Sequence, residues 1–401
     1  MGIHLVLGES ADEVAPHPLA WPPSSARMEL AALLALRPRQ SASSRFPGAT
    51  DLPHRHGTRG PPGTQASGPL LPEKDADGSG GHVSQPKAPP VTVVIPVRNE
   101  EATIASILSA LSRQVRADDR VIVVETGSTD HTPRILDEAA QAYPHVSVVH
   151  AEGAYPGTAR NVGIRSATTE WLALLDAGTR VDEGWLDAMR APLTGSAHDI
   201  DVVIGRWDPR IDDTFGALAT LAYVPKLVPD GTRGPTTGIM MVRREAWEKV
   251  GGFPDYRAGE DLAFFRRLEE ANANFVPAPD ARVEWELARG WGATWRRFVS
   301  YSGHVLRAGM WRTWHRGTLR NMLLITACLA IGTTLHPLAY VGVPALYALR
   351  AGRQSRGKWD EVAHLEQSQV KMFVGVMVFL AVLDLATIWG MVPRPQSPGS
   401  R

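Results

Sequence analysis

The sequence predicts an α/β protein, a mixed and mostly parallel sheet flanked by helices, followed by C-terminal helices of membrane character. Three observations predict it. Val91-Thr92-Val93-Val94-Ile95 is a continuous β-branched run, the pattern of a strand buried on both faces. Apolar strand runs then alternate with helical patterns as far as Leu175. Beyond Thr318 the chain contains two long stretches almost free of charge.

The elements follow in order. A helical pattern covers Ala102 to about Arg113, and a second apolar strand covers Arg120–Val124. A helix over Thr132–Ala142 leads to a strand over Val146–Val149. Another helix begins near Thr158, and a fourth strand covers Trp171–Leu175. Helices of this length between strands imply right-handed crossovers and parallel pairing. Such sheets bind ligands beyond the carboxyl ends of their strands. Polar residues collect there: Arg98-Asn99-Glu100, Glu125-Thr126-Gly127-Ser128 and Asp176.

The flanks have a different character. Lys plus Arg equals Asp plus Glu, 42 against 42, so no global field recruits nucleic acid. Cys328 is the single cysteine, which excludes an intrachain disulfide. Residues 1–89 are rich in Pro, Gly, Ser and His, and their one apolar stretch, Met28–Leu36, is too short to span a membrane. That composition buries too little apolar surface to offset chain entropy, and predicts disorder.

The folded domain is expected over 90–300, and an amphipathic interfacial helix over 301–320. Met322–Leu349 carries no charge and is broken at His336-Pro337 and Pro344, which predicts a membrane hairpin or kinked span over 321–350. A basic cytoplasmic loop over 351–369 precedes a transmembrane helix over 370–392, in which the apolar stretch Met372–Val392 carries a single charge, Asp384, and a tail follows at 393–401. Arg307, Arg312, Arg316 and Arg320 precede the hairpin, and Arg350, Arg353, Arg356 and Lys358 follow it. Basic residues on both sides predict a multi-pass protein of the cell membrane with its folded domain in the cytoplasm.

Several loop residues carry candidate chemistry. Glu125 closes a strand and can accept hydrogen bonds from a nucleobase or ribose. Ser128 or Asp130 suits the cap of the following helix. Gly157-Thr158-Ala159-Arg160-Asn161 opens a helix with an arginine, a natural diphosphate site. Asp176 can hold a divalent cation or a ribose. Gly259-Glu260-Asp261-Leu262 places two acids at a helix start, where a carboxylate can act as general base for a hydroxyl nucleophile.

VTVVIPVRNEEATI, VIVVETGSTDHT, GTARNVGI, WLALLDAG, GIMMVRREAWEKVGGF and GEDLAFFRRL, in this order, resemble family-2 glycosyltransferases of the GT-A fold over about residues 90–300. The resemblance implies an inverting transfer from a nucleoside-diphosphate sugar to a membrane-associated, lipid-linked or glycan acceptor. It implies a divalent metal, manganese or magnesium. It maps the catalytic base onto Asp261, with Glu260 orienting it or touching the acceptor, and donor contacts onto Pro96, Arg98, Glu100 and Glu125. The Asp-any-Asp metal motif falls on Asp176-Ala177-Gly178, so the second acid is replaced by glycine. Asp182 or His304 is then a candidate replacement ligand. Trp291, Trp295, Arg296 and Arg297 do not form the Gln-x-x-Arg-Trp order expected of a processive synthase, which favours single additions. These residues form either an acceptor site or the packed foot of an interfacial helix. The alternative function is a catalytically silent nucleotide-sugar-binding subunit of a membrane complex. A sugar nucleotidyltransferase is disfavoured, because Ile95-Pro96-Val97-Arg98-Asn99 is not a Gly-rich basic loop.

Overall fold

A computed structural model describes residues 88–194, 199–288 and 290–392. Nearly all of the segment expected to be disordered and the whole C-terminal tail lie outside the described residues.

The strands are β1 (Val91–Val97), β2 (Arg120–Glu125), β3 (Val146–His150), β4 (Trp171–Leu175), β5 (Thr179–Val181), β6 (Val202–Pro209), β7 (Ile239–Arg243) and β8 (Phe275–Trp285). Between and after them lie α1 (Ile104–Ser112), α2 (Thr132–Ala142), α3 (Pro156–Ser166), α4 (Trp185–Arg190), α5 (Thr214–Tyr223), α6 (Arg244–Lys249) and α7 (Glu260–Glu270). The C-terminal region contains α8 (Gly290–Arg307), α9 (Trp311–Trp314), α10 (Arg316–Thr334), a 3-10 turn (Pro337–Val341), α11 (Gly342–Ser355), α12 (Trp359–Val362) and α13 (Gln369–Met391).

One eight-stranded sheet runs in the order β3-β2-β1-β4-β7-β6-β8-β5. β1 pairs in parallel with both β2 and β4, and β2 with β3, as the crossover pattern predicts. β7 joins β4 and β6 antiparallel, which makes the sheet mixed. The pleat divides each inner strand between two cores. Val91, Val93 and Ile95 pack with α1, α2 and α4, whereas Val94 packs with α3, α6 and α7. Trp171 and Ala173 face the first core, and Leu172 and Leu174 the second.

The single amphipathic helix expected over 301–320 is not one element. α8 ends at Arg307, where Gly309 adopts φ 73° and the Met310 amide reaches back to the Val305 carbonyl at 3.1 Å. This left-handed closure stops a helix and turns the chain. α10 then reverses through the 3-10 turn: Tyr340 lies on the backbone of Gly332, and Gly342 against Cys328. The segment is thus a helical hairpin. Among the described residues, only α13 is long and apolar enough to cross a membrane, so helix length supports one span rather than several.

α13 is packed on one side. Met372, Val376, Phe379, Leu380 and Leu383 join α5 and Ala351 in a third apolar cluster. Phe379 meets Trp291 at 4.9 Å and Phe215 at 5.3 Å, so Trp291 belongs to this packing. Asp384, the only charge of α13 beyond Lys371 in its first turn, accepts hydrogen bonds from Arg350, Tyr347 and Thr318.

Candidate active site

The carboxyl ends of β1, β2 and β4 open onto one cleft. At the end of β1, Asn99 takes φ 57° and interlocks with the loop after β2. Its amide donates to Ser128 Oγ at 2.9 Å, and its Oδ1 accepts from the Thr129 amide at 2.7 Å. Pro96 is half-buried in β1, and Arg98 is exposed beside the cleft.

Glu125, expected at the nucleotide, is turned towards its own loop. Its Oε1 accepts from the amides of Gly127 at 2.9 Å and Ser128 at 2.5 Å. Burial opposes its charge, but these bonds prevail and lower its pKa. A buried carboxylate needs such partners, and the loop amides are nearest. Asp130 accepts from the Thr132 amide at 3.0 Å, so it supports the start of α2, while Ser128 serves Asn99 instead.

Asn161, also expected at the donor, is structural. Its Nδ2 donates to the Phe253 carbonyl at 2.7 Å, and its Oδ1 accepts from the Phe253 amide and Trp247 Nε1. It lies one residue past Arg160 on α3, which directs it into the Gly251-Gly252-Phe253 loop instead of the cleft.

Arg160 is the centre of the site. It is 3% exposed, and Nη2 donates to Asp176 Oδ1 at 2.5 Å. Nη1 stands 3.5 Å from Glu260 Oε1. Nη1 and Nε make no hydrogen bond. Asp176 leaves β4 with its amide on the Gly238 carbonyl at 3.2 Å. A Cβ added at Gly238 would fall 2.6 Å from Asp176 Oδ2, so only glycine permits that approach.

Glu260 and Asp261 open α7. A Cβ at Gly157 would meet Glu260 Cγ at 2.9 Å and Phe253 Cβ at 3.0 Å. The first glycine of Gly157-Thr158-Ala159-Arg160 therefore lets the starts of α3 and α7 touch. Burial raises the Glu260 pKa to about 7, with repulsion from Asp261 adding to it and Arg160 opposing. Burial raises Asp261 as well. Asp261 Oδ1 accepts from the Leu262 amide at 2.7 Å.

Two further residues border these acids without a local motif to announce them. Met310 packs on Gly259, and Tyr301 stacks on Trp314 with centroids 6.0 Å apart, under Arg297. Tyr301 is 40% exposed as a residue, and desolvation around its hydroxyl raises its pKa, with Arg297 opposing and Asp261, Glu260 and Asp176 adding to the rise. Only its spacing of four residues from Arg297 on a helix hinted at this pairing.

The metal expectation meets a mixed outcome. His304 hydrogen-bonds Arg307, and burial with Arg307 and Arg257 pushes its pKa to about 4, a poor setting for a cation. The Asp182 amide and carbonyl join Arg282 and Gln114 beside β5. Among the described residues, no three His, Cys, Asp or Glu side chains converge as a metal cluster. Asp176 keeps one oxygen outside its ion pair, which suits the smaller requirement of an ion shared with substrate phosphates.

Residues 92–251 match the family described as glycosyl transferase family 2. The chain is 28% identical over 306 residues to the pre-mycofactocin glycosyltransferase of Mycobacterium tuberculosis, covering 70% of this chain and 62% of that protein. It is 28% identical over 207 residues to the glycosyltransferase AglE of Haloferax volcanii, covering 48% of this chain and 65% of that one. The matches thus span less than two thirds of those relatives. A solved structure similar to it is a mannosyltransferase from Pyrobaculum calidifontis in complex with GDP-mannose and Mn2+, at 20% identity and TM-score 0.48, covering 76% of this chain and 88% of that one. The ordered motifs and the match over residues 92–251 thus identify that segment, about two fifths of the chain, as a glycosyl transferase family 2 domain.

Proposed function

We propose that the protein transfers a single sugar from a nucleoside-diphosphate donor to a hydroxyl of a membrane-associated acceptor, with inversion at the anomeric carbon. The observation that carries this reading is Arg160, which joins the acid at the end of β4 to the acids at the start of α7. It puts an anion-binding group and candidate bases in one cleft. The acceptor hydroxyl has a pKa far above neutral, so a carboxylate must take its proton as the new bond forms. Asp261 does this. Its Oδ1 is steadied by the Leu262 amide, and its raised pKa makes it a stronger base than a surface aspartate. Glu260, held beside Arg160, orients the pair. Arg160 faces the departing diphosphate, and Arg98 the nucleotide. Asp176 would hold a divalent ion, which when bound would supply further charge neutralisation for the diphosphate.

The membrane part of the proposal rests on exposed apolar surface. Leu335 and Leu338, at the tip of the hairpin, are 78% and 70% exposed. Val370, Val374, Val378 and Leu385 line the exposed side of α13. These surfaces lie in the bilayer of the cell membrane, with α13 across it, the hairpin inserted beside it and the catalytic domain on the cytoplasmic side. Arg312, Arg316, Arg353 and Arg356 meet the headgroups on that side.

The test is incubation of membranes containing the full chain with a panel of labelled nucleotide sugars. Transfer to membrane material is expected, and Asp261→Asn should cut turnover by about 10²–10⁴-fold while donor binding persists. A parent protein that binds donor but transfers nothing establishes the silent subunit instead.

A further inference from the structure

Gly178 stands where the family pattern has an acid, yet an acid from another strand reaches the same place. A Cβ built on Gly178 would lie 3.7 and 3.9 Å from the two carboxylate oxygens of Glu100, with nothing else within 4 Å. An aspartate there would thus bring its carboxylate beside that of Glu100. Glu100 is held in position by its own loop. Its amide donates to Thr132 Oγ1 at 2.8 Å, and its Oε2 accepts from Thr103 Oγ1 at 2.9 Å. Its Oε1 is the oxygen nearer Gly178.

A group of acids alone would say little, but Arg160 points to a ligand independently. This guanidinium is almost completely buried and pairs with Asp176, yet its Nη1 and Nε make no hydrogen bond. Such buried donors call for an anion. A diphosphate answers them, and a divalent cation commonly binds diphosphates with only one or two protein carboxylates. We propose that Glu100 supplies the second carboxylate of a divalent-cation site, in place of the acid absent at position 178, so that Asp176 and Glu100 together hold the ion. This inference rests on the nucleoside-diphosphate donor reading above. It explains how the chain tolerates Gly178: the ligand has moved from the loop after β4 to the loop after β1.

The experiment measures Mn2+ binding to the full detergent-solubilised protein by the loss of the free-ion paramagnetic resonance signal, with UDP or GDP present. Glu100→Gln should weaken Mn2+ affinity by about tenfold or more. Nucleotide binding without Mn2+ is the control that separates an ion ligand from a direct donor contact: it should weaken less than Mn2+ affinity does, and an equal loss overturns the assignment. Adding Gly178→Asp to that variant should restore affinity, and Gly178→Asp alone should tighten it. Unfolding curves of each variant exclude a collapsed site, and the Gly178→Asp result does not depend on the stability of Glu100→Gln. Unchanged Mn2+ affinity in Glu100→Gln overturns the assignment. Nucleotide binding that ignores Mn2+ overturns it too, while leaving the donor reading intact. A protein that binds neither UDP nor GDP overturns the donor reading itself.

Discussion

Arg160 Nη2 lies 2.5 Å from Asp176 Oδ1 across the cleft, and Nη1 of the same guanidinium is 3.5 Å from Glu260. One side chain on α3 thus ties the end of β4 to the start of α7. Removing it leaves buried acids facing one another. Arg160→Ala should lower unfolding stability by about 3 kcal/mol at pH 8, by urea titration. Arg160→Lys should recover part of this stability but little donor affinity, because an ammonium cannot present a planar fork.

The pH dependence has a defined sign. The folded-state pKa of Glu260 is raised to about 7 from 4.5, so folding disfavours its ionised form. The stability associated with the neutral acid is complete below about pH 4.5 and is lost as pH rises through about 7. Between pH 5 and 8 the wild type should lose of the order of 1–3 kcal/mol through this group. Glu260→Gln should flatten that slope, read from urea midpoints across the range. An unchanged slope would place the titrating group elsewhere.

Gly238→Ala tests how closely Asp176 must be placed. The new methyl would arrive 2.6 Å from Asp176 Oδ2 and displace it. Turnover should fall by about 10²-fold, the scale of a misplacement near 1 Å. The melting temperature should move little, because the carboxylate can swing into the cleft. A variant with full turnover would remove Asp176 from the reacting centre.

Leu335→Asp with Leu338→Asp tests the hairpin. On a surface facing water the two charges are harmless. Within a bilayer each costs about 2.5–3.5 kcal/mol at the centre and less near the headgroups. The fraction resisting alkaline carbonate should fall if the tip is inserted. An unchanged fraction would leave α13 as the sole membrane element.

Lys358 links the C-terminal region to the α/β domain. It is 1% exposed and donates to the carbonyls of Thr220, Leu221 and Val224 at 2.7–2.8 Å. Beside it, Arg233 pairs with Glu361 at 2.7 Å. Lys358→Met leaves the end of α5 with orphan carbonyls and should cost about 2–3 kcal/mol. Limited proteolysis should then cleave the 356–368 segment sooner than in the wild type.

The sequence by itself determined the parallel half of the sheet and the strand ends where polar residues gather. Val91–Ile95 and Trp171–Leu175 could only be strands covered on both faces, because continuous apolar runs of that length need two buried sides. Asp176 and the Glu260-Asp261 pair were legible for a related reason: unmatched carboxylates at element ends mark where the chain leaves the core. Tertiary structure alone decided which polar groups face the cleft. Asn161 and Arg160 are neighbours on one helix, yet the first binds Phe253, 92 residues away, and the second binds Asp176. Nothing local separates those fates, because each depends on which distant backbone arrives at hydrogen-bonding distance. Likewise Gly178 looked like a missing ligand until the loop after β1 brought Glu100 beside it, and Asp384 a charge in an apolar helix until Arg350 and Tyr347 met it. Periodicity encodes the face on which a residue lies. The partner on that face is set by packing between segments tens of residues apart.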